Sequence, residues 1–246
     1  MQAEAFQFLR MHSHGASAAH GLLAEADRVP SHCSHIKRPR PARWLMGSPE
    51  EVHVELESFT SRPQPVRPKS GGLRYRKVRS DLRCFMDCVA SYPVEVEDFR
   101  HASDSDKLIL KEWVDKTHHF IQAEFGSNYI ACCFHLDESH PHFHFYIVGN
   151  ASRLHPGLRA EFVDGRRIKD DKERKRLHIN GLKAFLDRYY EQVSCQFGHS
   201  RGDHRRSERR ILKRDDYRKW KVLLERSKEP IETELPSDPV VSQRLK

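Results

Sequence analysis

The stretch HLDESHPHFHFYIV, residues 135–148, packs four histidines, two acids and a proline into its first ten positions and then turns apolar. From His142 onward it reads as a strand, and a strand sends alternate side chains to opposite faces. His142 and His144, two apart, therefore leave one face while Phe143 and Phe145 leave the other. The preceding NYIACCFHLD (128–137) reads as a second strand, joined to the first by a turn at DESHP. His135 then lies on the antiparallel neighbour and meets the other two across the ladder. Three imidazoles from two paired strands make a rigid half-shell with open positions for a divalent metal. Asp137 or Glu138 in the turn can orient a ligand or complete the shell, and His140, opposite by parity, is a bystander. A lone histidine is usually structural; three on one concave face beside two acids read as a metal site.

Around this pair the chain alternates strand and helix signals. Phe6–Met11 fits a first strand. Ala16–Arg28, rich in Ala and Leu, fits a helix ended near Pro30. Residues 30–68 read as mostly irregular, with a short helix in SPEEVHVELESF capped by Ser48, with Pro49 in its first turn. Leu73–Pro93 suggests an extended start, a helix and a strand. Ser103–Gly126 is the clearest helix, with an acidic start, apolar residues three and four apart and a closing glycine. Residues 151–168 read as a loop or ribbon turning at Asp164-Gly165, and His178–Gly198 as another helix. A basic helix is expected over about 200–228, and 229–246 as a disordered tail.

Charge points to a polyanion. The net charge is +8 and the sequence pI about 9.2, and each phosphate that such a protein neutralises releases a counterion. The six cysteines show no CxxC spacing and no disulfide-like framework. Cys132 and Cys133 read as small buried residues, and Cys84 and Cys88, four apart, could share a helix face. No segment approaches the ~18 apolar residues of a membrane span, and no signal peptide is recognisable, which implies a reducing cytoplasm.

The motif HLDESHPHFHFYIVG resembles the signature of the Pre/Mob mobilisation and recombination proteins, relaxases of the MobV group within the HUH endonuclease superfamily. That pattern is His-x-Asp-Glu-x-x-Pro-His-x-His before a short apolar strand. The helices on either side and the N-terminal FLRM also fall where that family has comparable elements. The resemblance implies an α+β fold with a central antiparallel sheet, flanking helices and the site on the sheet face. A relaxase-like domain would span 1–228, including the basic C-terminal helix. It further implies nicking and rejoining of one DNA strand at an origin of transfer, with the protein left on the 5′ phosphate. His135, His142 and His144 would hold Mn²⁺ or Mg²⁺, and Glu138 would support them. The partner would be single-stranded DNA or an origin hairpin, met by Arg10, Arg28, Arg205, Arg206, Arg209 and Arg210.

One family feature is missing. The attacking histidine or tyrosine of these relaxases lies in or near the first helix, and the matching position here holds Glu25. Two replacements suggest themselves: His20, one to two turns earlier and the preferred one, and Tyr190 on the helix after the motif. His32 or His35 could also swing in from the loop. Tyr189 belongs to that helix's apolar stripe with Leu182, Leu186 and Val193, and Tyr190 flanks it. Tyr217 and Trp220, set among C-terminal charges, could stack a base. Two rival readings stand beside the relaxase: a DNA-binding relative that has lost its nucleophile, and an unrelated metal-dependent hydrolase or oxygenase with a deep small-molecule pocket.

Overall fold

The computed structural model describes residues 5–66 and 71–201. In chain order the elements are β1 (Phe8–His14), α1 (Ala19–Ala26), β2 (Arg43–Met46), α2 (Pro49–Ser61), β3 (Gln64–Val66), β4 (Arg74–Arg76), β5 (Phe85–Ser91), α3 (Val96–Arg100) and α4 (Asp104–Phe125). There follow β6 (Tyr129–His135), β7 (His142–Val148), α5 (Ala151–Leu154), α6 (Pro156–Ala160), β8 (Phe162–Val163), β9 (Arg166–Arg167) and α7 (Asp171–Gln192). The expected basic helix over about 200–228, the tail, and Arg205, Arg206, Arg209, Arg210, Tyr217 and Trp220 lie outside the described residues.

Five strands form an antiparallel sheet in the order β1-β5-β7-β6-β2. This is the α+β arrangement expected from the sequence. Strand alternation divides its side chains between two cores. Met86, Cys88, Ala90, Phe143, Phe145 and Ile147 face α4 and α7, where Trp113, Phe120, Ile121, Phe185 and Tyr189 cover them. Phe85, Cys133, Tyr146 and Val148 face α1 and α2, against Leu23, Ala26, Val52 and Leu56. Burying a side chain of Leu or Phe size is worth roughly 1.5–3 kcal/mol, so both faces hold the sheet.

Helices α2 and α4 follow their sequence signals, whereas α7, expected over His178–Gly198, runs from Asp171 to Gln192. Ser103 and Asp106 form a reciprocal cap at the start of α4, and Gly126 ends it at φ +54°. Ser48 caps α2 by accepting from the Glu51 amide, with Pro49 in the first turn. Asp164 and Gly165, both at positive φ, turn β8 into β9.

Three further expectations fail. Leu73–Pro93 contains no helix: Cys84 belongs to the α1/α2 core and Cys88 on β5 to the opposite one, so they share no face. Residues 43–46, expected to be irregular, form an edge strand on β6. The segment 151–160 folds into two short helices before the ribbon. Among the described residues no helix is long and apolar enough to cross a membrane, and Cys33, Cys84, Cys88, Cys132, Cys133 and Cys195 are all free thiols.

After α7 the chain returns to β1, where Gln7 donates to the Ser200 carbonyl and Ser200 to that of Ala5. The buried His199 ring packs here against Tyr92 and Phe197. Burial pushes its pKa from 6.5 down to about 4. The folded state thus resists a proton that the unfolded chain accepts, and stability falls as pH drops from 6.5 toward 4. The slope for one such histidine is about 1.4 kcal/mol per pH unit. In EDTA, His199→Phe should flatten the pH dependence of the urea midpoint between pH 6.5 and 5; an unchanged slope would contradict this.

Candidate metal centre

The register pairs His135 on β6 directly with His142 on β7. His144 follows on the same face, and the three ring centroids lie 5.0 to 5.1 Å apart. Each ring offers one nitrogen to a set whose members are all within 4.8 Å of one another. Backbone carbonyls fix two of the tautomers. His135 Nε2 donates to the Ala26 carbonyl at 2.8 Å, and His142 Nδ1 to the carbonyl of His140 at 2.9 Å. A carbonyl only accepts, so the protons sit on those nitrogens, and His135 Nδ1 faces His142 Nε2 as a second lone pair 3.2 Å away. Glu138 Oε1 lies 3.3 Å from the same His142 Nε2. His144 Nδ1 is buried without a hydrogen-bond partner, 3.6 Å from Asp87 Oδ1.

Acceptors that converge without protons between them repel unless a cation joins them. This donor set therefore fits the divalent ion that the motif implies, with His135, His142 and His144 as ligands. Burial keeps His135 neutral, with a pKa down to about 3, as a ligand must be.

Arg28 holds the turn in place. Its Nε and Nη2 donate to Asp137 Oδ2 and Oδ1 at 2.9 and 2.7 Å, Nη2 also to Glu138 at 2.9 Å, and Nη1 to the Glu25 carbonyl at 3.3 Å. The guanidinium and the Asp137 carboxylate are 4% and 1% exposed. Arg28 reaches them because its backbone is left-handed, φ +62°, just past the end of α1. Asp137 also accepts from the Arg40 amide at 3.0 Å, tying down the segment before β2. Arg28, expected to contact DNA, borders the groove but directs four of its five guanidinium N–H groups to Asp137, Glu138 and the Glu25 carbonyl inside the protein.

The histidines open into a groove of about 380 Å³, lined among others by Phe8 and Arg10 of β1, Glu25 of α1 and Asp87 of β5. Arg10 stays exposed there, its Nε against His12 Nε2. His20 does not line the groove: it is an exposed residue of α1 whose ring stands 5.9 Å from His32 and 6.1 Å from His53. Tyr190 also fails to reach it. Its neighbour Tyr189 packs on Phe120 and bonds Thr117 in the core on the opposite sheet face, so the sheet stands between α7 and the histidines. His140, expected to be a bystander, borders the groove and contributes the carbonyl that orients His142. Asp87 was missed; the one acid within CFMDCVA was its signal.

Comparisons with known proteins bear on this site. No curated protein sequence matches the chain. Among solved structures, the MobM relaxase domain bound to plasmid pMV158 oriT DNA, Mn-bound at pH 6.8, aligns at 15% identity and TM-score 0.49 over 88% of this chain and 99% of that one. The Mn-bound form at pH 6.5 aligns at 16% identity and TM-score 0.47, over 89% and 99%. The family model described as plasmid recombination enzyme, Mob_Pre, matches residues 69–219, more than half of the chain and all of the β6–β7 motif. By that match the chain belongs to the Mob_Pre plasmid recombination enzyme family.

Proposed function

We propose that the protein nicks and rejoins one strand of DNA in plasmid mobilisation, using Mn²⁺ or Mg²⁺ held by His135, His142 and His144. The observation that carries this reading is the convergence of unprotonated acceptors at the base of the groove, in a chain of this family. A bound cation supplies charge to offset that developing on phosphate oxygens. The chain's own groups do the rest. The carbonyls of Ala26 and His140 hold the ring protons away from the cation, and Arg28 fixes Glu138 beside His142. Asp87, 3.6 Å from His144 Nδ1, places a carboxylate beside that ring. Arg10 at the groove meets a phosphate of single-stranded origin DNA. The functional unit runs over 1–228, the basic segment about 200–228 adding backbone contacts.

The test is incubation of the full chain with Mn²⁺ and a pool of single-stranded DNA, followed by denaturing electrophoresis. Nicked strands and a protein-linked band that both vanish in EDTA are the expected result. A second reading, DNA binding without nicking, is favoured by the placement of His20 and Tyr190 away from the groove; bound but intact DNA would select it.

Phe8 gives a further check. It is 44% exposed on the groove side of β1, two residues from Arg10. An aromatic beside a cation on one strand face suits base stacking, worth about 1–3 kcal/mol per base. Phe8→Ala should weaken single-stranded DNA binding by about tenfold or more on that scale, with Mn²⁺ affinity unchanged in calorimetry; unaltered DNA affinity would contradict the assignment.

A further inference from the structure

Glu25 is held unlike any other acid at the groove. Its own carbonyl accepts from Arg28 at 3.3 Å, and the next carbonyl, of Ala26, accepts from His135 at 2.8 Å. The last turn of α1 is thus tied to the groups beneath it on both sides of the Glu25 peptide. The side chain nevertheless faces the groove, its carboxylate 44% exposed and 3.5 Å from the equally open ring of His35. The other groove carboxylates are less open, Asp87 at 16% beside His144 and Glu138 at 38% on Arg28 and near His142. A rigid backbone that presents one open side chain at a metal centre is how a reacting group is preorganised.

We infer that Glu25 is the nucleophile, an inference that rests on the nicking reading above. A carboxylate needs no base to activate it, and carboxylates attack phosphorus elsewhere in biology to give acyl phosphates. A Glu25 oxygen attacks the phosphorus in line and the P–O3′ bond breaks. The 3′ oxygen leaves with its electron pair and takes a proton from water, while the 5′ phosphate remains on Glu25 as an acyl phosphate. Rejoining is the reverse: the 3′ hydroxyl loses its proton, attacks phosphorus and expels the carboxylate. The anhydride keeps the energy of the broken bond, so no other reactant is required.

The experiment uses the full chain, Mn²⁺ and a pool of single-stranded DNA labelled at its 3′ ends. After a rapid quench, hydroxylamine converts an acyl phosphate to a hydroxamate, and peptide mass mapping finds it. The expected result is a hydroxamate on Glu25 in the wild-type protein. In Glu25→Gln the adduct should fall by about three orders of magnitude or more, with Mn²⁺ affinity by calorimetry unchanged. The wild-type mass map decides the point even if the variant misfolds. An adduct mapped to another residue, or undiminished in Glu25→Gln, would overturn the inference and leave nicking standing. Absence of nicking by the wild-type protein would overturn the nicking reading and this inference with it.

Discussion

Alanine at any one of His135, His142 or His144 is expected to lower Mn²⁺ affinity by more than about 100-fold, since even residues that merely orient ligands are worth about 10- to 100-fold. DNA nicking should fall with it. The rings are not interchangeable in what else they hold. His135 is buried and anchors the end of α1 through Ala26, so His135→Ala should also lower stability. His144 Nδ1 has no hydrogen-bond partner to lose, so His144→Ala should leave the metal-free fold close to wild type. Calorimetry with Mn²⁺ beside urea unfolding in EDTA separates these outcomes. Wild-type metal affinity in any of the three variants would contradict the ligand assignment.

Arg28→Ala is expected to be the most destabilising single change near the site. It strands the Asp137 carboxylate, 1% exposed, without its forked partner, and removing one member of a buried pair costs about 3–5 kcal/mol. The turn that carries Glu138 would loosen as well, so Mn²⁺ affinity should drop by about 10- to 100-fold. Two further variants separate charge from backbone. Arg28→Gly relieves the left-handed conformation at φ +62° and should be about 1 kcal/mol less damaging than alanine. Arg28→Lys should not restore stability, because an ammonium cannot span both Asp137 oxygens. Urea unfolding of the three variants checks the order; a lysine variant of wild-type stability would contradict it.

The parts of this protein that sequence makes legible are those set by neighbours along the chain. His135, His142 and His144 converge because a two-residue period and one short turn fix their faces. The α4 limits follow from Ser103, Asp106 and Gly126. What sequence conceals depends on distant partners. Arg43–Met46 is a strand because β6 pairs with it, and four residues carry too little pattern to announce that. In 84–90 the apolar residues serve two cores at once, which blurs strand alternation into something helix-like. Arg28 carries a basic charge that suggests DNA, but a left-handed residue at the end of α1 turns it inward to acids more than a hundred positions away. The separation of Tyr190 from the histidines is a fact about which sheet face α7 covers. Asp87 was legible and overlooked: a lone acid between Met86 and Cys88 has little reason to face a core.

The most direct test of the metal centre is anomalous diffraction at the manganese edge from crystals grown with Mn²⁺. One peak bonded to His135 Nδ1, His142 Nε2 and a nitrogen of His144 is the expected result. A peak elsewhere, or none while Mn²⁺ still supports nicking, would contradict it.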